Sequence, residues 1–278
     1  MKLSVILINH NSRNGLRLAL TSVQKAAHNI PHEIIVVDNA STDFSVDMVS
    51  TEFPQVKLFV NSTKESLSRA YNNILPETRG QYILLLNPDN IISADSFAKM
   101  NDFMDQHPLA GGVSVRMVDF KGDYLHHSKH TLSGAWAAFI RFVGLSSYFP
   151  KTYSVSKRKA DWVEEFENKE IDVLNDTCMM LRRSVLEKTG MFDERFSMYG
   201  YNIDLSYRIR LQGFKNYYYS KTYIIQLPRK AVNKFSWNYF RHFYGAMFIF
   251  AAKYLFKLPV LNIKNIGELY PSSSYEIE

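Results

Sequence analysis

Six residues, Gln81-Tyr82-Ile83-Leu84-Leu85-Leu86, run without polar alternation straight into Asn87-Pro88-Asp89-Asn90. A strand lacking a period-2 pattern is one covered on both faces, which describes the central strand of an α/β sheet. Ligands of such sheets collect at the carboxyl ends of the strands, so this run delivers Asp89 to a place where a site forms. A lone carboxylate there suits Mg²⁺ or Mn²⁺, hard cations that complete an oxygen shell with substrate phosphates. An ordinary turn accounts for Asn-Pro-Asp equally well, because these residue types favour turns anyway. The tripeptide alone leaves both readings open.

Upstream of it, the pattern alternates between strand and helix: strands at 3–8, 33–38, 56–61 and 81–86, helices at 14–27, 43–53, 65–76 and 94–106. Such alternation implies βαβ units and a mostly parallel sheet with helices on both faces. Ser41 or Thr42 is expected to cap the second helix and Ser93 the fourth. Residues 111–115 read as a further strand, 118–165 as an elaborated loop region over the acceptor side, and Ile171–Leu181 as strand. A short helix from Ser184 to Thr189 closes at Gly190, a longer one runs from Ile203 to Gln212 with Gly213 as its cap, and two short strands lie around 215–226. The segment from Asn233 to Phe256 reads as helix, and residues 271–278 as disordered.

The 278 residues, 46% hydrophobic and 14% aromatic, are ample for a core. A net charge of +6 suits an anionic ligand or surface. No nucleic-acid-binding motif accompanies it, so nucleic acid is not an expected partner. The single cysteine, Cys178, excludes an internal disulfide and a Cys-rich zinc site and fits a reducing compartment. The opening strand Leu3–Ile8 runs into Asn9-His10-Asn11 without a basic start or cleavage site, so no export signal is expected and cytoplasm is the default.

Ordered blocks then carry a resemblance. Ser4-Val5-Ile6-Leu7-Ile8-Asn9-His10-Asn11 resembles the opening strand of family 2 glycosyltransferases of the GT-A fold, in particular their rhamnosyltransferase-like bacterial members. Glu33-Ile34-Ile35-Val36-Val37-Asp38-Asn39-Ala40-Ser41-Thr42-Asp43 is similar to that family's second strand and turn, and Leu84-Leu85-Leu86-Asn87-Pro88-Asp89 to its metal motif. Cys178–Arg183, Gly190–Phe196 and Asp204–Arg208 fall where the family has similar strings. The likeness covers residues 3–226 and implies a GT-A domain at 1–226, with a nucleotide-binding half at 1–115 and an acceptor half at 116–226, followed by an aromatic helix and tail at 227–278.

The resemblance implies roles. Asp38 matches the position that accepts the imide N–H of uracil or thymine, and Asn9 and His10 lie beside the nucleotide, His10 where the family often has a stacking tyrosine. Asp89 is the implied ligand of Mg²⁺ or Mn²⁺, with Asn87 beside the sugar or ribose. The implied donor is a UDP- or dTDP-sugar, and the implied acceptor a hydroxyl of a surface glycan, free or lipid-linked, with inversion at the anomeric centre.

Four positions depart from the family. Where it carries Glu-Asp ahead of Asp-Leu, with that Asp as catalytic base, this chain has Tyr201-Asn202-Ile203-Asp204-Leu205. An amide orients a hydroxyl but takes no proton, and base assistance is worth about 10²–10⁴-fold. Asp204 lies about 200° around a helix from Asn202. Asp176-Thr177 replaces the usual Gly-Ala, placing a new carboxylate on the acceptor side. Asp176 and Asp204 are therefore the candidate bases, with Asn202 orienting. Gln226 stands where many members have His, and Arg69, in the Lys64–Asn72 loop, is offered to the diphosphate. Two readings stay open: an active transferase whose base has moved, and a catalytically weak or inactive homologue that binds a nucleotide-sugar or a partner. A nucleotidyltransferase is disfavoured, because Asn11-Ser12-Arg13-Asn14-Gly15 is not the Gly-rich basic loop it needs after the first strand.

In the 233–256 segment, aromatics nearly encircle the expected helix, with Lys234, Arg241, Lys253 and Lys257 among them. Peripheral contact with the inner face of the cytoplasmic membrane, packing on the domain and a homodimer seam all remain open.

Overall fold

Residues i and i+1 of the early strands enter different cores, and that division organises the fold. In the computed structural model, which describes residues 1–125, 132, 134–150, 165–228 and 236–255, Ile6, Ile8, Ile35, Val37, Ile83 and Leu85 join one buried cluster. Val5, Leu7, Ile34, Val36, Leu84 and Leu86 join a second on the opposite face. Strands covered twice need no polar alternation, which accounts for the unbroken apolar runs.

The elements follow in order β1 (Leu3–Asn9), α1 (Arg13–Ala26), β2 (His32–Asn39), α2 (Ser45–Glu52), β3 (Lys57–Asn61), α3 (Leu67–Ile74), β4 (Tyr82–Leu86), β5 (Asn90–Ile92), α4 (Ser96–Gln106) and β6 (Ala110–Val118). Then come α5 (Gly134–Phe142), β7 (Lys169–Ile171), β8 (Cys178–Arg182), α6 (Arg183–Thr189), α7 (Tyr201–Leu211), β9 (Lys215–Gln226) and α8 (Trp237–Leu255). Strand order in the sheet is β3-β2-β1-β4-β8-β6-β9-β5, with β7 also on β9. The first four strands in that order are parallel. Beyond β4 directions mix: β8 runs antiparallel to β4 and β6, while β6 and β9 are parallel. Helices α1, α2 and α4 supply one core, with Leu16, Leu20, Met48, Phe97 and Met100, and α3, α5, α7 and α8 the other, with Tyr71, Trp136, Leu205 and Phe250.

Several local expectations need correction. One strand, β9, spans Lys215–Gln226 where two were expected. Its pairing with β6 jumps from Val115↔Tyr219 to Arg116↔Tyr223, so the polar Ser220-Lys221-Thr222 stretch is a bulge and not a chain reversal. Ile171–Leu181 is not one strand but β7 and β8, parted by a turn in which the Asn175 side chain accepts the Thr177 N–H at 2.8 Å. Helix α2 begins later than Ser41 or Thr42 can cap. Its N-cap is Phe44, in the left-handed region at φ 62°, and Asp43 one residue earlier accepts the Ser45 N–H at 3.2 Å. Ser93 does not cap α4 through its side chain; its hydroxyl donates to Asp95. Part of the expected loop over 118–165 is helix α5; its stretches 126–131 and 151–164 lie outside the described residues, as do Lys234, Phe235, Phe256, Lys257 and residues 271–278.

Helix α8 packs its inner side on α5 and α7. Phe250 meets Trp136 at 5.9 Å and Tyr207 at 6.0 Å between ring centroids, and Tyr254 meets Tyr207 edge-on at 4.7 Å. Among the described residues no helix is long and apolar enough to cross a membrane.

Candidate functional site

The carboxyl ends of β1, β2 and β4 lie side by side, and the short connection from β1 to α1 runs across them. Asn9 pairs with Asp38 in register. Asp38 is 1% exposed; one carboxylate oxygen accepts Asn9 Nδ2 at 3.0 Å and the other the Ser41 N–H at 2.8 Å. Asn9 Nδ2 also reaches Ser41 Oγ at 3.1 Å, and Asn9 Oδ1 is buried without a hydrogen-bond partner. His10 Nδ1 lies 2.9 Å from the Asn39 carbonyl oxygen. The turns here need left-handed backbone at Asn11 (φ 53°) and Ala40 (φ 60°), a conformation that Asn tolerates better than Ala.

At the other end of that connection, Ser12 Oγ donates to Asp89 Oδ1 at 2.5 Å. Asp89 thus sits at the first turn of α1, where the helix dipole favours negative charge. Gly15 makes room for it: a Cβ there would lie 2.7 Å from Asp89 Oδ1 and 2.7 Å from Ser12 Oγ. The Asn87-Pro88-Asp89 turn is held from three directions. Asn87 N–H donates to the Thr177 carbonyl at 3.0 Å, Asp89 N–H to Asn87 Oδ1 at 3.1 Å, and Leu227 N–H to the Asp89 carbonyl at 2.9 Å. The last bond and the Asn90↔Gln226 pairing bring Gln226 beside the turn.

No group of three His, Cys, Asp or Glu side chains able to cage a metal stands among the described residues. The donor set fits a hard cation that takes one carboxylate and draws its other ligands from phosphates and water.

The Thr177 contact also places Asp176, its neighbour, next to the Asn87–Asp89 turn. Asp176 is half-buried, and the Tyr201 hydroxyl lies 3.5 Å from its Oδ2. Burial, and then the Asp176 charge, push the Tyr71 phenol up; burial, Tyr239 and Asp176 do the same to Tyr199. Asn202 is buried, and its amide donates to the Leu174 carbonyl at 2.9 Å. Asp204 is fully buried and faces α8 and its own helix. It accepts Lys253 Nζ at 2.6 Å, Tyr254 Oη at 2.6 Å and Arg208 Nε at 2.8 Å. The structure therefore gathers Asn9, His10, Asp38, Asn87, Asp89 and Asp176 along one edge and turns Asp204 away from it. Arg69 is exposed on α3, where its N–H meets the Ser66 cap at 3.3 Å. Burial pushes the Cys178 thiol up to about 12, which removes it as a nucleophile.

Sequence reasoning passed over Ser12, Gly15, Ser41 and Lys253. The signal for the first two was available: Ser12 opens a helix three residues after a strand, and Gly15 lies in its first turn.

The sequence model of glycosyl transferase family 2 matches residues 4–190. The chain belongs to glycosyl transferase family 2. This family 2 glycosyltransferase is 23% identical over 227 residues to the N-acetylglucosaminyl-diphospho-decaprenol L-rhamnosyltransferase of Mycobacterium tuberculosis, covering 78% of this chain and 73% of that one. It is 25% identical over 213 residues to a low-salt glycan biosynthesis hexosyltransferase of Haloferax volcanii, covering 75% and 61%. Among solved structures it superposes on S. aureus TarS in complex with UDP-GlcNAc with a TM-score of 0.59 at 17% identity, covering 87% of this chain and 64% of that one. The mannosyltransferase PcManGT from Pyrobaculum calidifontis, in complex with GDP-Man and Mn²⁺, gives 0.56 at 17%, covering 86% and 59%. The enzyme thus has the GT-A fold and spans less than two thirds of these solved chains.

Proposed function

We propose that this enzyme transfers a sugar from a UDP- or dTDP-sugar to a hydroxyl of a surface-glycan acceptor, with inversion, and that Asp176 is its base. One observation carries the donor site: the segment Asn9–Ser12 donates to Asp38 at one end and to Asp89 at the other. A base reader and a phosphate-side carboxylate are thereby fixed at two ends of one short connection, as a nucleoside diphosphate requires. The UDP-sugar bound by TarS and the rhamnosyl transfer named for the M. tuberculosis relative support these two donor classes.

Asp89 would hold Mg²⁺ or Mn²⁺, which neutralises the departing diphosphate. Asp38 accepts the imide N–H of the base, and His10 and Asn87 flank the nucleoside and sugar. Of the two candidate bases, Asp204 is enclosed by three donors, and the orienting Asn202 has no basic oxygen. Asp176 remains, next to the motif turn. It takes the acceptor O–H proton as the acceptor oxygen bonds to the anomeric carbon; the carbon–phosphate oxygen bond breaks, and its electron pair leaves on the nucleoside diphosphate. The relative's decaprenol-linked substrate supports a lipid-linked acceptor, and hence work in the cytoplasm at the inner membrane face.

Calorimetric titration with UDP and dTDP, each with and without Mn²⁺, tests this site. Binding of one nucleotide that tightens with metal is the expected result. No binding of either overturns the donor site, and metal-dependent binding without turnover of any donor leaves the binding-module reading, favoured by the fastened amide of Asn202.

A further inference from the structure

The aromatics of α8 divide into two sets. Tyr239, Phe243, Phe250 and Tyr254 pack inward, whereas Trp237, Phe240, Tyr244 and Phe248 are 76%, 51%, 46% and 73% exposed. With exposed Arg241 and Leu255 the outer set falls within one arc of roughly 100°. Trp237 stacks on Phe240 at 5.7 Å and Phe240 meets Tyr244 in a tilted contact at 4.7 Å, so these three rings are continuous. Neither α8 nor α5 contains a carboxylate. Helix α5, which meets α8 through Trp136, ends in exposed Arg141 and Phe142, the latter 88% exposed.

We infer that the outer face of α8 docks on an anionic lipid surface. Trp and Tyr carry a polar tip on an apolar body and sit at the headgroup level, while Arg241 pairs with lipid phosphates. A second copy of the chain is a poorer occupant. The four outer aromatics offer roughly 500 Å², short of the about 800 Å² per partner in a standard interface. The carboxylate-free stripe also offers no ion-pair partner to Arg241 of a second copy. This rests on the proposed lipid-linked acceptor for its purpose, since a docked α8 keeps the enzyme where such an acceptor lies.

The experiment is flotation of the full chain with vesicles of phosphatidylcholine alone and of phosphatidylcholine mixed with phosphatidylglycerol. The wild type is expected to float with the mixed vesicles. Trp237→Ser/Phe248→Ser, both at exposed positions, is expected to lose roughly tenfold or more of that partitioning. Arg241→Glu is expected to lose the preference for the anionic mixture. Equal flotation of wild type and double variant, or none by the wild type, overturns the inference. So does a doubled mass in light scattering that the double variant abolishes, which assigns the face to a second copy. UDP titration of the same proteins without vesicles separates this outcome from failure of the donor site.

Discussion

The side-chain amide of Asn202 donates to the backbone carbonyl of Leu174 at 2.9 Å, fastening the start of α7 to the turn that carries Asp176. At the position where the resemblance puts the family's base, this chain has a structural donor. Restoring a carboxylate by Asn202→Asp therefore sets two acceptors against each other in a buried place. The variant is expected to lose about 1–3 kcal/mol of stability and to gain no turnover. Denaturant unfolding and a donor-cleavage assay read the two effects.

Asp38 should govern nucleotide affinity. Hydrogen bonds to a charged acceptor are worth about 1.5–3 kcal/mol, so Asp38→Ala is expected to weaken UDP or dTDP binding roughly 10–100-fold, measured by titration. Asp38→Asn tests the same contact while keeping the side-chain shape.

Gly15 separates stability from function. Ala in a helix is better than Gly by about 1 kcal/mol, yet here its Cβ would meet Asp89 Oδ1 at 2.7 Å. Gly15→Ala is expected to lose roughly 10–100-fold in the Mn²⁺-dependent part of nucleotide affinity. Its metal-free binding should stay unchanged. Titration with and without Mn²⁺ distinguishes the two.

Lys253 latches α8 to the body through Asp193 at 2.8 Å and Asp204 at 2.6 Å. Burial alone would raise the Asp193 carboxyl, but Arg195 and Lys253 outweigh it and hold it well below the usual range. Its stabilising effect is present above the unfolded carboxyl's pKa and is lost as pH falls through the lower native value. Stability should thus decline on acidification below about pH 4. Lys253→Met is expected to cost about 3 kcal/mol at neutral pH and to flatten that acid limb, as read by urea unfolding across pH.

The parallel half of the fold was legible because doubly covered strands announce themselves as apolar runs. The β9 bulge was not, since Ser220-Lys221-Thr222 reads locally as a chain reversal and only its pairing to β6 shows the strand continuing. Asp89 stood out because it ends an apolar run, and Asp38 through the family resemblance. Their connection through Asn9 and Ser12 depends on strand register and helix placement, which no local pattern encodes. The two faces of α8 were hidden for a related reason: aromatics all round a helix carry no stripe until the inner ones find Trp136, Tyr199 and Tyr207.

The role of Asp176 is read by release of nucleoside diphosphate from UDP- and dTDP-sugars, comparing the wild type with Asp176→Asn in the presence of Mn²⁺. The wild type is expected to release it from at least one donor, and the variant to lose about 10²–10⁴-fold with nucleotide affinity retained. Equal release by both proteins would contradict that role.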